Sequence, residues 1–236
     1  MKSIYTYSLK SCLLLLLLLQ MGGCAVNNKV TGNKKKSYTI LGLGDSITEG
    51  GPDFFSYLFP LDSLLKLDHQ PVNFIGPKFS VQEGDTIHHG GYSGKTAEYL
   101  AKIIDSIYAG SRADIVLLHS GHNHFVEESP VPGIIAAHQK IIRTIKTSNP
   151  NAIILVAGVI TSGKLPKYAY IPALDTAIKK MVGEFNDRTI LFVDQQEHWD
   201  WNKHTIPDKV HPNQAGALVI AANWLNAIRK LRLKQN

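Results

Sequence analysis

Five continuous apolar runs, each separated from the next by a stretch of helical periodicity, limit what this chain can become. The runs are YTILGL (38–43), PVNFIGP (71–77), ADIVLLHSG (113–121), NAIILVAGVI (151–160) and TILFVD (189–194). None alternates apolar with polar residues, so each reads as a strand buried on both sides. Between them, 53–69 has helical spacing with Pro60 expected to bend it, and 96–110 sets Leu100, Ile103, Ile104 and Ile107 on one face with Gly110 as a stop. Segments 133–150, 172–187 and 212–233 continue the pattern, the last with Pro212 suited to a first helical position. Strands alternating with helices predict an α/β fold, a parallel sheet covered on both faces. In such sheets functional groups collect in the loops at the carboxyl ends of the strands.

The chain has 236 residues, and its first 23 read as a secretory signal: Lys2 and Lys10, a run of seven leucines, then small residues. The apolar run is short for a membrane span. The ending MGGC resembles a bacterial lipobox, which predicts lipidation at Cys24, a Lys/Asn-rich tether over 24–37 and one domain over 38–236. Removal of the signal leaves 213 residues, enough for a single well-filled core. It also leaves Cys24 as the one cysteine, so no internal disulfide and no thiolate chemistry are expected. The formal charge of +6 falls to about +4 without Lys2 and Lys10, and the excess sits near the two ends. No basic patch interleaved with aromatics occurs, which argues against nucleic acid. The expected location is the cell envelope, on a bacterial membrane through the lipid anchor, facing the periplasm or the surface.

The loop after the first run reads GLGDSITEG. A dinucleotide fingerprint would need a third glycine where Ile47 stands and an acid after the second strand; a P-loop would need a Gly-Lys-Ser/Thr ending. Neither is present, so the turn reads as a mount for Ser46. A serine hydroxyl needs a base, and the base needs an orienting partner. The lipase elbow G-x-S-x-G is absent because Thr48 occupies its last position. The last loop, TIPDKVHPNQAG, supplies Asp208 and His211 three residues apart, a spacing that can set a carboxylate against the near imidazole nitrogen and leave the far one for a serine. Oxyanion donors are available from Gly94 in GGYSGKT, expected after the second strand, and from Asn123 in HSGHNHF after the third, together with the N–H of Ser46.

On these four blocks (GDSITEG, YSGKT, GHN and DKVHP, in that order over 38–216) the chain resembles the SGNH, or GDSL-type, hydrolases. The resemblance implies a three-layer α/β/α, flavodoxin-like fold with five parallel strands and neither metal nor organic cofactor. It carries over Ser46 as nucleophile, His211 as base, Asp208 as orienter, and Gly94 and Asn123 as oxyanion donors. One position departs: His124 stands where the third block usually has Asp.

Other residues keep two readings each. Asp45 reads as structural, bonding the turn. His124 is a candidate substrate contact, and His119, His122 and His124, with His88 and His89, read as hydrogen-bonding groups at a pocket rim rather than metal ligands. In EHWDWNKH, Trp199 and Trp201 are either packed onto the sheet or form a platform for a sugar ring. The second block is similar to that of family-three carbohydrate esterases. The favoured substrate is therefore an O-acylated, above all O-acetylated, oligo- or polysaccharide. Lysophospholipid, thioester or simple short-chain ester hydrolysis is the alternative, and a non-catalytic glycan-binding protein is a reading of a different class.

Overall fold

In the computed structural model, residues 37–70, 72–231 and 233 are described. The expected signal, Cys24 and all of the tether before Ser37 lie outside these residues. The elements follow in the order β1 (Tyr38–Gly44), α1 (Ser46–Glu49), α2 (Leu58–Leu67), β2 (Val72–Phe74), β3 (Lys78–Gln82), β4 (Asp85–Gly91), α3 (Ala97–Gly110), β5 (Ile115–His119), α4 (Val131–Ser148), β6 (Ile153–Ala157), α5 (Ile171–Glu184), β7 (Ile190–Val193), α6 (Trp201–His204) and α7 (Gln214–Lys230).

The sheet has seven strands rather than the expected five. Along β1, β5, β6 and β7 every pairing is parallel. On the other side of β1 the place of one strand is shared: β2 pairs with its first half and β4 with its end. The additional elements are β3 and β4, an antiparallel hairpin. Its two-residue loop, Glu83–Gly84, has positive φ at both positions (52° and 90°), the geometry that suits a tight hairpin. The loop GGYSGKT consequently leaves β4, not the short strand β2.

Alternate residues of the central strands point to opposite faces. Leu41, Leu43, Val116, Leu118, Ile154 and Val156 pack with Leu100, Ile104, Ile141, Ile145, Leu174 and Ile178 of α3, α4 and α5. Ile40, Ile115, Leu117, Leu155 and Ala157 pack with Leu58, Leu61, Leu65, Ile220, Trp224 and Ile228 of α2 and α7. Two covered faces explain why the runs are apolar without alternation, and give the three layers.

Two prolines sit elsewhere than expected. Pro60 lies in the first turn of α2, which begins only at Leu58, where its missing N–H removes no helical bond. Pro212 precedes α7 and forms an isolated bridge with Thr205; the cap is Asn213, whose side chain accepts the N–H of Gly216 at 2.9 Å. No helix among the described residues is long and apolar enough to cross a membrane.

In register, Gly44 lies opposite Gly91 of β4 and His119 of β5. The loops after these three strands therefore start side by side at the carboxyl edge, where the chain turns from one side of β1 to the other.

Candidate active site

The turn after β1 is set by backbone contact. A Cβ on Gly44 would stand 2.3 Å from the His119 carbonyl oxygen and 2.3 Å from Thr48 Oγ1, so only glycine fits. Asp45 caps α1: its Oδ1 accepts the N–H of Ile47 at 3.0 Å, and its carbonyl accepts those of Thr48 (3.2 Å) and Glu49 (3.0 Å). Of the backbone donors in this first turn, the Ser46 N–H alone has no acceptor among the described residues. Ser46 is 6% exposed, and its Oγ lies 2.9 Å from His211 Nε2.

His211 is presented by a tight loop. Ile206 N–H donates to the His211 carbonyl at 2.9 Å, Lys209 N–H donates to Ile206 at 3.0 Å, and Lys209 takes a positive φ of 61°. Asp208 Oδ2 accepts from His211 Nδ1 at 2.5 Å. Its Oδ1 accepts the backbone N–H of Val210 (2.8 Å) and of His211 (3.0 Å). Partial burial pushes this carboxyl up, but the hydrogen bonds from the His211 side chain and from the two N–H groups outweigh it and hold it below the ordinary carboxylate range. The proton on Nδ1 is assigned from this network, and it leaves Nε2 as an acceptor for the Ser46 hydroxyl. The Phe54 ring stacks on the imidazole at 4.1 Å between centroids, which fixes its plane.

Two loops frame the other side of Ser46. Tyr92 N–H donates to the Gly44 carbonyl at 2.9 Å, and Lys95 N–H to the Tyr92 carbonyl at 3.1 Å. Gly94, with φ of +72°, has no neighbour within 4 Å of a Cβ position, and its N–H has no partner among the described residues. Asn123, also at positive φ (69°), donates from Nδ2 to the Lys95 carbonyl at 3.0 Å and so joins the two loops. Gly94 and Asn123 thus lie on adjacent, mutually braced segments.

His124 lies between two carboxylates, Glu128 Oε2 at 2.8 Å from Nδ1 and Glu98 Oε2 at 3.0 Å from Nε2, with 13% of its side chain exposed. The His124 hydrogen bond holds Glu128 below its ordinary value. His124, expected as a substrate contact, ties the Asn123 loop to the first turn of α3.

Beneath the site the interior is polar. Asp45 is fully buried, and desolvation pushes its carboxyl up to about 6. His122 Nδ1 stands 3.8 Å from Asp45 Oδ2, while His122 Nε2 donates to the Ile160 carbonyl at 3.1 Å. Burial lowers His122 to about 3 and His119 and His138 to about 4, so all three are neutral at pH 7. Among the described residues no group of three or more His, Cys, Asp or Glu side chains is placed to hold a metal ion.

The two tryptophans differ. Trp199 is half-buried against the α7 side of the core, and its Nε1–H donates to the Thr161 carbonyl at 2.9 Å. Trp201 covers Gly163, where a Cβ would meet its ring at 2.3 Å, and Lys209 Nζ lies 5.9 Å from its ring centroid. Trp201 therefore borders the His211 loop, and Trp199 packs with its ring centroid 5.4 Å from that of His204. Nothing in the sequence pattern singles out Phe54 or the hairpin residues Lys78 and Ser80, and His89, expected at a pocket rim, is fully buried. The alternation KFSVQ followed by Glu-Gly is the signal that marks the hairpin.

The family described as GDSL-like Lipase/Acylhydrolase matches residues 43–219, a span that runs from the end of β1 into α7 and holds Ser46, Gly94, Asn123, Asp208 and His211. No curated protein matches. Among solved structures, a family 3 carbohydrate esterase from Clostridium thermocellum is 26% identical, with 83% of this chain and 99% of that one covered at a TM-score of 0.71. A carbohydrate esterase family 3 protein from Talaromyces cellulolyticus is 23% identical, covering 82% of this chain and 97% of that one at a TM-score of 0.74. An acetyl esterase mutant, solved with an acetate ion, is 24% identical, covering 82% and 97% at a TM-score of 0.66.

Proposed function

The chain belongs to the GDSL-like lipase/acylhydrolase family and is a hydrolase acting on ester bonds; within that family we propose that it is a serine esterase removing O-acetyl groups from a carbohydrate. The observation that carries the mechanism is the unbroken hydrogen-bond path from Ser46 Oγ through His211 to Asp208. His211 Nε2 takes the Ser46 proton as Oγ attacks the ester carbonyl, and Asp208 stabilises the imidazolium that results. The N–H groups of Ser46 and Gly94 and the Asn123 amide receive the developing oxyanion. His211 returns the proton to the departing sugar oxygen, then activates a water that releases acetate from the acyl-enzyme.

The acetylated-sugar assignment rests on similarity to proteins described as carbohydrate and acetyl esterases. Trp201, bordering the His211 loop, suits the apolar face of a pyranose. The lipoprotein reading is part of the proposal. Ser37 enters β1 at the amino edge of the sheet and Ser46 follows its carboxyl edge, about 20 Å away along seven residues.

The test is acetate release from acetylated xylo-oligosaccharides, set beside turnover of p-nitrophenyl acetate, a lysophospholipid and an acyl thioester. The reading expects the oligosaccharide to be used with the highest kcat/KM. Preference for the lipid or thioester would overturn the sugar assignment and keep the serine chemistry. Binding of the oligosaccharide with no turnover of any ester would favour a glycan-binding protein.

A further inference from the structure

Glu49, the last residue of α1, connects the serine turn to the Gly94 loop by three routes. Its Oε2 accepts the backbone N–H of Ser93 at 2.5 Å, and its Oε1 is ion-paired with Lys78 of β3. Its own carbonyl accepts the hydroxyl of Ser80, also on β3, at 2.7 Å. The third route is contact: a Cβ on Gly91 would stand 2.6 Å from the Glu49 nitrogen, so the end of β4 lies directly on α1.

The hairpin supplies a directed relay behind this joint. Gly91 N–H donates to His89 Nδ1 at 2.9 Å, which places the imidazole proton on Nε2. The Ser80 hydroxyl already donates to the Glu49 carbonyl, so His89 Nε2–H donates to Ser80 Oγ at 2.8 Å. His89 is fully buried, and desolvation lowers it to about 4, which keeps it in this neutral form at pH 7. Lys78 Nζ also lies 5.0 Å from the Tyr92 ring centroid.

Within the turn Tyr92–Lys95 the backbone groups are nearly all engaged. The Tyr92 N–H goes to Gly44, the Ser93 N–H to Glu49, and the Lys95 N–H to Tyr92; the Lys95 carbonyl takes the Asn123 amide. The N–H left over is that of Gly94. An oxyanion donor works only when its position is set before the reaction. We propose that Glu49, held by Lys78 and the β3–β4 hairpin, is a positioning residue that aims the Gly94 N–H at the oxyanion. Glu49 itself does not touch substrate. The inference rests on the serine-esterase reading above.

The experiment compares kcat and KM on p-nitrophenyl acetate for the full chain and its Glu49→Ala, Glu49→Gln and Ser46→Ala variants, with thermal midpoints alongside. Deleting an oxyanion donor costs about 10²–10³ in kcat. Releasing one from its restraint is expected to cost about tenfold or more in Glu49→Ala, with KM changed less than twofold. Glu49→Gln retains an acceptor for the Ser93 N–H and should recover part of the loss. Inactivation by a fluorophosphonate, whose phosphoryl oxygen takes the oxyanion position, should slow in the same order. A purely structural role would lower the thermal midpoint and leave both kinetic readouts in place. A folded Glu49→Ala variant with native kcat and native inactivation rate overturns the inference. If that variant does not fold, Glu49→Gln decides, with a threefold or larger fall in kcat expected and an unaltered kcat overturning it. The Ser46→Ala control separates the two levels. An active Ser46→Ala protein ends the serine reading, whereas an inert one beside a fully active Glu49→Ala ends the positioning role alone.

Discussion

Replacing Asp208 by Asn should silence the enzyme without unfolding it, and the hydrogen bonds around the carboxylate say why. Oδ1 accepts two backbone N–H groups, from Val210 and His211. An asparagine must place its carbonyl oxygen there, since an NH2 group facing two donors leaves all of them unsatisfied. Its NH2 then points at His211 Nδ1, the atom that donates a hydrogen bond to Oδ2 in the native protein. Nδ1 must turn acceptor, the ring proton moves to Nε2, and Nε2 becomes a donor toward Ser46 Oγ instead of a base. The imidazolium also loses its counter-charge. A wrong tautomer in such a relay costs about 10⁴ in kcat; Asp208 is 35% exposed, and solvent screening reduces the charge component, so about 10³ is expected here. That is about 4 kcal/mol of transition-state stabilisation. The assay is kcat on p-nitrophenyl acetate across pH 6–10, with circular dichroism to verify the fold. A folded Asp208→Asn protein within tenfold of the native kcat would refute the argument.

Other substitutions separate packing from chemistry. Gly44→Ala would press a Cβ against the His119 carbonyl and Thr48 at 2.3 Å; we expect a loss of at least about 3 kcal/mol in urea unfolding, or no folded protein. Trp199→Ala removes half-buried core and the bond to Thr161, so it should cost about 2 kcal/mol of stability with kcat nearly unchanged. Trp201→Ala should raise KM on acetylated oligosaccharides several-fold and leave p-nitrophenyl acetate alone. Stability should also fall in acid. His89, His119, His122 and His138, lowered by burial to about 4, 4, 3 and 4, bind protons below pH 6.5 only when unfolded. Their contribution is thus complete above pH 6.5 and is lost as pH falls toward 4. Asp45 and Asp175, pushed up by burial to about 6 and 7, act in the opposite sense: their contribution falls as pH rises from 3.8 through those values. His138→Gln, able to keep the donor to the Ser120 carbonyl, should flatten the slope of unfolding free energy near pH 5 by about 1.4 kcal/mol per pH unit. An unchanged slope would contradict the buried, neutral assignment.

The parallel core was legible because burial on both faces writes itself as unbroken apolar runs, of which Ile115–His119 and Ile153–Ala157 are the clearest. The hairpin leaves no such mark, because β3 exposes Phe79 and Val81 and intersperses them with Lys78, Ser80 and Gln82, so it carries no apolar run. Ser46, Asp208 and His211 could be singled out because their residue types are tied to one chemistry and their spacing to the loops that must meet. What lay hidden were side chains whose partners are far away in sequence. Glu49 meets Lys78 and Ser93, Phe54 meets His211, and His124 meets Glu98 across distances that no local pattern records. The position where Asp was expected is filled by a histidine that works through two glutamates, a substitution understandable only once α3 and the turn Val126–Glu128 are seen on either side of it.

The central claim, that Ser46 carries the acyl group of an acetylated carbohydrate, is tested most directly by acid-quenching the enzyme during turnover of an acetylated xylo-oligosaccharide and mapping the acetyl adduct by mass spectrometry. The account predicts an acetyl group on the peptide containing Ser46, and neither adduct nor acetate release in a folded Ser46→Ala protein. Acetate release by Ser46→Ala at the native rate, or an adduct on a different residue, would contradict it.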